Sequence, residues 1–168
     1  MILVRARTII VVKRIFDLMM NKDNKMNTEG IIAQIARIRE SANALIEAEL
    51  RKRSIKGIVP AHGAALVFLF QQKKPVPIKA VVESTRRVKS TVTVMINTLE
   101  KYGYVQKIPC ETDSRVTYVE LTQKGRKLKK DFEEISIILR EKIYGNMAKK
   151  DRKVLIELLT EIEQNIRA

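Results

Sequence analysis

From Ile31 onward, apolar residues recur at Ile31, Ile35, Ile38, Ala42, Leu45 and Leu50 with charged residues between them. That is a helical period, and it predicts a long amphipathic helix reaching about Arg53. Lys56-Gly57-Ile58-Val59-Pro60 breaks the pattern. Pro60 suits the first turn of a second helix, in which Ala65, Leu66, Leu69 and Phe70 face inward. Lys73-Lys74-Pro75-Val76-Pro77 stops that helix. A short apolar helix from Ile78 to about Glu83 leads into a tight polar-basic turn, Ser84-Thr85-Arg86-Arg87, and then into a helix over residues 88–102. Gly103 is placed to end that helix in the left-handed conformation. Residues 104–108 and 117–121 alternate in polarity around a polar turn at 109–115, which predicts a β-hairpin. Thr122 reads as the N-cap of a long helix over 123–144, closed by Gly145-Asn146, and a last helix spans about 149–166.

Helix, helix, short helix, turn, helix, hairpin and two final helices is the order of a winged helix-turn-helix domain flanked by extra helices. The expected fold is therefore mainly α with a small β-hairpin wing. Ahead of it, Asn21 to Gly30 is polar and reads as a linker, so residues 1–28 form an N-terminal extension. Methionines at 19, 20 and 26 leave open that translation starts downstream of residue 1. An extra packing arm or such a start explains the extension better than a membrane-surface segment.

Charge agrees with that topology. The chain carries 33 Lys and Arg against 19 Asp and Glu, a formal +14, and residues 73–107 hold 8 basic residues against 2 acidic ones. Such concentration calls for a polyanionic partner. One cysteine excludes an intramolecular disulfide and a cysteine-based zinc cluster, and one histidine excludes His-rich metal sites. No cofactor and no metal are expected. The longest charge-free run, residues 57–72, holds 16 residues, short of the roughly 20 a bilayer requires. Basic residues interrupt the apolar N-terminus and exclude a signal peptide, so the expected location is the reducing cytoplasm. An enzyme is set aside, because only carboxylates are left to catalyse, and Glu133, Glu134, Glu157 and Glu161 lie on solvated helix faces.

On a wheel of the 88–102 helix, Val88, Val92, Met95, Ile96 and Leu99 gather on the side expected to be core. Opposite lie Arg87, Ser90, Val94, Asn97 and Lys101, flanked by Thr91 and Thr93, with Arg86 and Lys89 at the helix entry. Short hydroxyl and amide side chains can hydrogen-bond base edges, a Val methyl can meet a thymine methyl, and Lys and Arg neutralise phosphates. The plain alternative is a solvated helix. The turn before it and the hairpin after it favour insertion into a major groove.

The stretches KSTVTVMINTLEKYGYV and DSRVTYVELTQKG resemble the MarR family of transcription regulators. The first is similar to that family's recognition helix, with Ser90, Thr91 and Thr93 followed by Leu99-Glu100-Lys101 and Gly103. The second is similar to its wing, with Asp113 and Arg115 followed by Leu121-Thr122-x-Lys124-Gly125. The resemblance covers about residues 29–168. It implies a homodimer, with 29–58 as an N-terminal dimerisation helix, 59–125 as the DNA-binding domain and 126–168 as C-terminal dimerisation helices. It further implies that Arg115, steadied by Asp113, enters a minor groove from a wing whose other contacts are Lys107, Thr112 and Ser114. Two departures stand out: Val94 occupies a position that is often Arg, and Val88 stands where a capping Asp or Ser is common.

The dimer seam is expected to take Ile31, Ile35 and Ile38 from the first helix. On the 123–144 helix, Leu128, Phe132, Ile135 and Leu139 form one stripe while Ile137 and Tyr144 lie opposite, so this helix is sandwiched. Its partners are Leu155, Leu158, Leu159, Ile162 and Ile166. The reading that results is a homodimeric, sequence-specific regulator of double-stranded DNA, by default a repressor on a palindromic operator, with a small-molecule effector as a further partner and no membrane. A winged helix that binds only protein is the alternative, and it would not need so basic a recognition surface. His62 is a weak ligand-binding candidate that more simply caps or packs. Cys110, near the hairpin tip, reads as a bystander thiol.

Overall fold

A computed structural model describes residues 30–167. The expected extension and nearly all of the linker lie outside the described residues. The chain divides into two compact units, the first ending at Glu40 and the second beginning at Ser41. Helix α1 (Ile31–Lys52) runs through that boundary. In the first unit, Ile31 and Ile38 are exposed and Ile35 is half-buried.

In the second unit the end of α1 is followed by a 3-10 turn (Pro60–His62) and α2 (Gly63–Phe70). Strand β1 (Val76–Pro77) then precedes α3 (Ile78–Thr85) and α4 (Lys89–Lys101). The hairpin is β2 (Val105–Pro109) and β3 (Thr117–Leu121), and α5 (Gln123–Tyr144) and α6 (Lys149–Arg167) close the chain. The core lies where the first helices meet the sheet: Leu66, Leu69, Val81, Val92, Ile96, Leu99, Val105 and Val119 are all essentially removed from solvent. Each contributes roughly 1.5–3 kcal/mol of apolar burial, which fixes the attitude of α4 relative to the hairpin.

The sheet has three strands in the order β1-β3-β2, with Val105 opposite Leu121, Pro109 opposite Thr117 and Val76 opposite Val119. Val76 and Pro77, expected only to stop a helix, form an edge strand on β3. Pro77 is tolerated there because an edge leaves its missing N–H unneeded, and it is also the N-cap of α3.

Helix α5 begins as the sequence predicts: Thr122 accepts a hydrogen bond from the Gly125 N–H at 3.1 Å. Leu128 and Ile135 are buried, Phe132 is half-buried, and its ring meets Phe70 edge-on at 5.5 Å between centroids. Helix α6 has no buried residue at all, although Leu158, Leu159 and Ile166 are large and apolar. Among the described residues no helix is long and apolar enough to cross a membrane.

Candidate nucleic-acid interface

The approach to α4 is tighter than the sequence suggests. Ser84 and Thr85 belong to α3, where the Thr85 hydroxyl donates to the Val81 carbonyl at 2.7 Å, so the turn contracts to Arg86 and Arg87 before the N-cap Val88. Arg86 carries φ 51°, the left-handed conformation that costs a side-chain-bearing residue roughly 1–2 kcal/mol.

Along α4, Val92, Met95, Ile96 and Leu99 are buried as the wheel predicts. Val88 is not: it is 68% exposed, because as the extended N-cap it precedes the helical period. Lacking a polar side chain, it leaves the first-turn N–H groups uncapped, where a helix N-terminus favours an anion. Arg86, Arg87, Lys89, Ser90, Thr91, Asn97 and Lys101 are exposed, and Val94 is 65% exposed among them. Thr93 is half-buried and its hydroxyl donates to the Lys89 carbonyl at 2.9 Å, leaving only its lone pairs for a ligand. At the far end, Gly103 adopts φ 73° and the Tyr104 N–H closes on the Leu99 carbonyl at 2.9 Å, the predicted left-handed cap.

Thr112, Asp113, Ser114 and Arg115 form the exposed tip of the wing. Asp113 steadies this tip through the backbone, its Oδ1 accepting the Arg115 N–H at 2.9 Å, while the Val116 N–H donates to the Asp113 carbonyl at 3.0 Å. The Arg115 guanidinium has no ion-pair partner among the described residues. Lys107 differs from the other wing residues: its Nζ lies 2.7 Å from Glu100 Oε2, and the Lys107 N–H donates to Glu100 Oε1 at 3.1 Å. It ties the wing to α4, so its charge is largely spent within the chain.

Residues that the sequence presents only as a signature brace the interface. Lys124 Nζ donates to the Tyr102 carbonyl at 2.6 Å and lies 4.6 Å from the Tyr104 ring centroid. Thr122 Oγ1 donates to the Gly103 carbonyl at 2.6 Å, and any Cβ on Gly125 would collide with the Tyr104 carbonyl oxygen. The end of α4 is thereby fastened to the start of α5.

His62 is buried, and its Nδ1 accepts the Val59 N–H at 3.3 Å; burial pushes its pKa down. This is the capping and packing role. Cys110 Sγ lies 3.3 Å from Thr112 Oγ1, and that hydrogen bond lowers the thiol pKa. Of the residues expected at a dimer seam, Ile137 in α5 and Leu158, Leu159 and Ile166 in α6 are exposed, while Tyr144, Leu155 and Ile162 are half-buried. Among the described residues no group of three or more His, Cys, Asp or Glu is placed to hold a metal ion.

Residues 64–132, from the start of α2 to the middle of α5, match the family model described as Transcriptional regulator SarA/Rot. Solved structures share the fold across most of their length. The MepR–DNA complex of S. aureus is 18% identical with a TM-score of 0.72, over 80% of this chain and 97% of that one. FabT of Streptococcus pneumoniae in complex with DNA is 24% identical with a TM-score of 0.68, over 84% and 98%. BpsR of Bordetella bronchiseptica, whose DNA binding is regulated by 6-hydroxynicotinic acid, is 18% identical with a TM-score of 0.68, over 82% and 95%. The fold is the winged helix of these MarR-like structures, and within it residues 64–132 match a family of transcriptional regulators. Within that class, SarA/Rot is the family that its winged-helix domain matches.

Proposed function

We propose that this regulator acts as a homodimer in the cytoplasm, placing two α4 helices in major grooves about one helical turn apart on a palindromic operator. The observation that carries this reading is the exposed face of α4. With Arg87 just ahead of the helix, it presents Ser90, Val94, Asn97 and Lys101 with no carboxylate among them, since Glu100 is held by Lys107. Arg86 and Lys89 neutralise phosphates at the helix entry, Ser90, Thr91 and Asn97 contact base edges, and Val94 offers methyls to thymine. Thr93, whose hydroxyl donates to the Lys89 carbonyl within α4, accepts from a base at most. The Arg115 guanidinium enters a minor groove, whose negative potential attracts it. Lys107 orients the wing.

Helix α6, with no residue buried in its own chain, supports the dimer, and Ile137 and Tyr144 of α5 continue that apolar surface. Residues 29–58 and 126–168 are then the dimerisation helices around a DNA-binding domain at 59–125. Occlusion of a promoter represses transcription, and a small molecule that binds two dimer geometries unequally relieves it.

Selection of bound duplexes from a random pool at near-physiological salt tests the reading. A two-fold symmetric consensus is expected, with log affinity falling by about 0.9 per phosphate contact for each decade of salt. No enriched sequence and a flat salt response would instead mark a protein-binding winged helix.

A further inference from the structure

The first two turns of α5 concentrate positive charge where a helix tolerates it least. Residues 123–130 hold five basic residues, Lys124, Arg126, Lys127, Lys129 and Lys130, and no acidic one. A helix N-terminus favours carboxylates, yet α5 has none in its first turn, and its cations repel one another at spacings of three and four. Folding therefore gives no reason for the cluster. Lys124 is committed to the Tyr102 carbonyl. Arg126, Lys127 and Lys130 are exposed on the side away from the buried Leu128 and Ile135, and Arg126 and Lys129 border one cleft with Lys73, from the segment after α2. Arg126 lies 3.8 Å from Glu120 and Lys129 lies 3.9 Å from Glu133. Asp131 and Glu134, the other carboxylates of the next turn, are taken by Arg53 at 3.7 and 3.5 Å. Lys73, Lys74, Lys127 and Lys130 are exposed and have no ion-pair partner among the described residues. The result is a cationic ridge. None of it belongs to α4 or the wing, and it follows the base of the hairpin, where Val105 pairs with Leu121, rather than the tip that carries Arg115.

We propose that this ridge binds the phosphate backbone of a second duplex without regard to sequence, so that the regulator bridges two segments of DNA. The bridging half of the proposal rests on the operator reading under Proposed function. Lysines act as point charges on flexible stems, which suits a regular array of phosphates and reads no base. The chemistry disfavours other polyanionic or surface partners. Single-stranded nucleic acid needs aromatic platforms for its bases, and residues 123–131 contain none. The core of a protein interface is depleted in lysine and enriched in aromatic residues, the reverse of this surface. A membrane-surface helix turns an apolar face to the lipid, whereas Leu128 and Ile135 are buried in the fold. Because the ridge shares no residue with α4 or the wing tip, an operator held by those elements leaves it able to take up another duplex.

Capture of a labelled, unrelated duplex by full-length protein saturated with short operator on beads tests the ridge. The native chain is expected to capture it, and capture should fall steeply as salt rises. Lys73→Gln with Lys127→Gln and Lys130→Gln should lower capture by about tenfold or more and flatten its salt dependence by about 0.9 for each lysine removed. The same variant should bind short operator as the native chain does, measured by fluorescence anisotropy; Lys127→Gln and Lys130→Gln singly serve if the triple variant fails to fold. No capture, capture indifferent to the variants, or an equal loss of short-operator affinity overturns the proposal. So does dependence on the ridge that emerges only when the operator itself is lengthened, which would make it a flank contact on one duplex. Phosphatidylglycerol vesicles that bind through these lysines more tightly than the unrelated duplex would reassign the ridge to a membrane. If the native chain binds no operator, the reading under Proposed function fails instead. The ridge is then judged on the unrelated duplex alone, whose binding must fall in the triple variant and persist in Arg87→Gln with Lys101→Gln.

Discussion

Arg86 is held left-handed at φ 51° in the two-residue turn before α4, where glycine would rest without strain. Relieving that strain is worth roughly 1–2 kcal/mol, against roughly 0.5–1 kcal/mol of added chain entropy for glycine. Arg86→Gly is therefore expected to melt no lower than the native chain while binding operator more weakly. A clear fall in melting temperature would show that the arginine stabilises the fold. Arg115→Ala should weaken operator binding by about 1–3 kcal/mol with the hairpin intact by circular dichroism; unchanged affinity would remove the wing tip from the interface. His62 makes a pH prediction. Burial disfavours the imidazolium, so the folded state takes up its proton at lower pH than the unfolded chain does. The resulting stability is complete above the ordinary value near 6.5 and is lost as pH falls below it. Melting temperature should drop between pH 7.5 and 5.5, and His62→Asn, which can still accept the Val59 N–H, should flatten that drop.

Most elements are legible in the sequence because their periods are long. The 22 residues of α5 begin and end where Thr122 and Gly145 predict. The failures share one cause, namely that short segments are decided by neighbours. Val76 and Pro77 pair with β3, more than 40 positions away in sequence, and no local pattern announces that. Ser84 and Thr85 look like turn residues, but the Thr85 hydroxyl back-bonds to Val81 and keeps them helical. Leu121-Thr122-x-Lys124-Gly125 is legible as a signature, whereas its work is not: it fastens α5 to the end of α4. Gly125→Ala tests this brace. With a backbone oxygen in the way, overpacking should cost about 1–3 kcal/mol, a melting shift of about 2–4 °C for each kcal/mol. An unshifted melting curve would show that the junction yields freely.

At the scale of the whole molecule the prediction concerns α6. Most of its apolar residues are exposed within the chain, with Leu158 at 53% and Leu159 at 42%. Replacing both by Asp should convert a dimer into a folded monomer by sedimentation, with the reading domain retained and operator affinity sharply reduced, because two half-sites no longer bind as a unit. If the native chain sediments as a monomer, or the variant remains a dimer, the α6 seam is wrong. The charge concentrated between residues 73 and 107 can be read directly from the order of the amino acids. Which cations line the exposed face of α4 and which is consumed by Glu100 depends on how the chain folds.

Periodicity and charge are properties of adjacent residues, and they determined by themselves the helices, the hairpin, the polar face of α4 and the concentration of positive charge around it. Pairings between residues of different elements determined the rest: the edge strand, the Lys107–Glu100 tie and the brace at Gly125. The reason is physical. A helical stripe is set by a 3.6-residue repeat that every window of sequence carries, whereas a hydrogen bond across the fold depends on packing that brings together groups no local window contains.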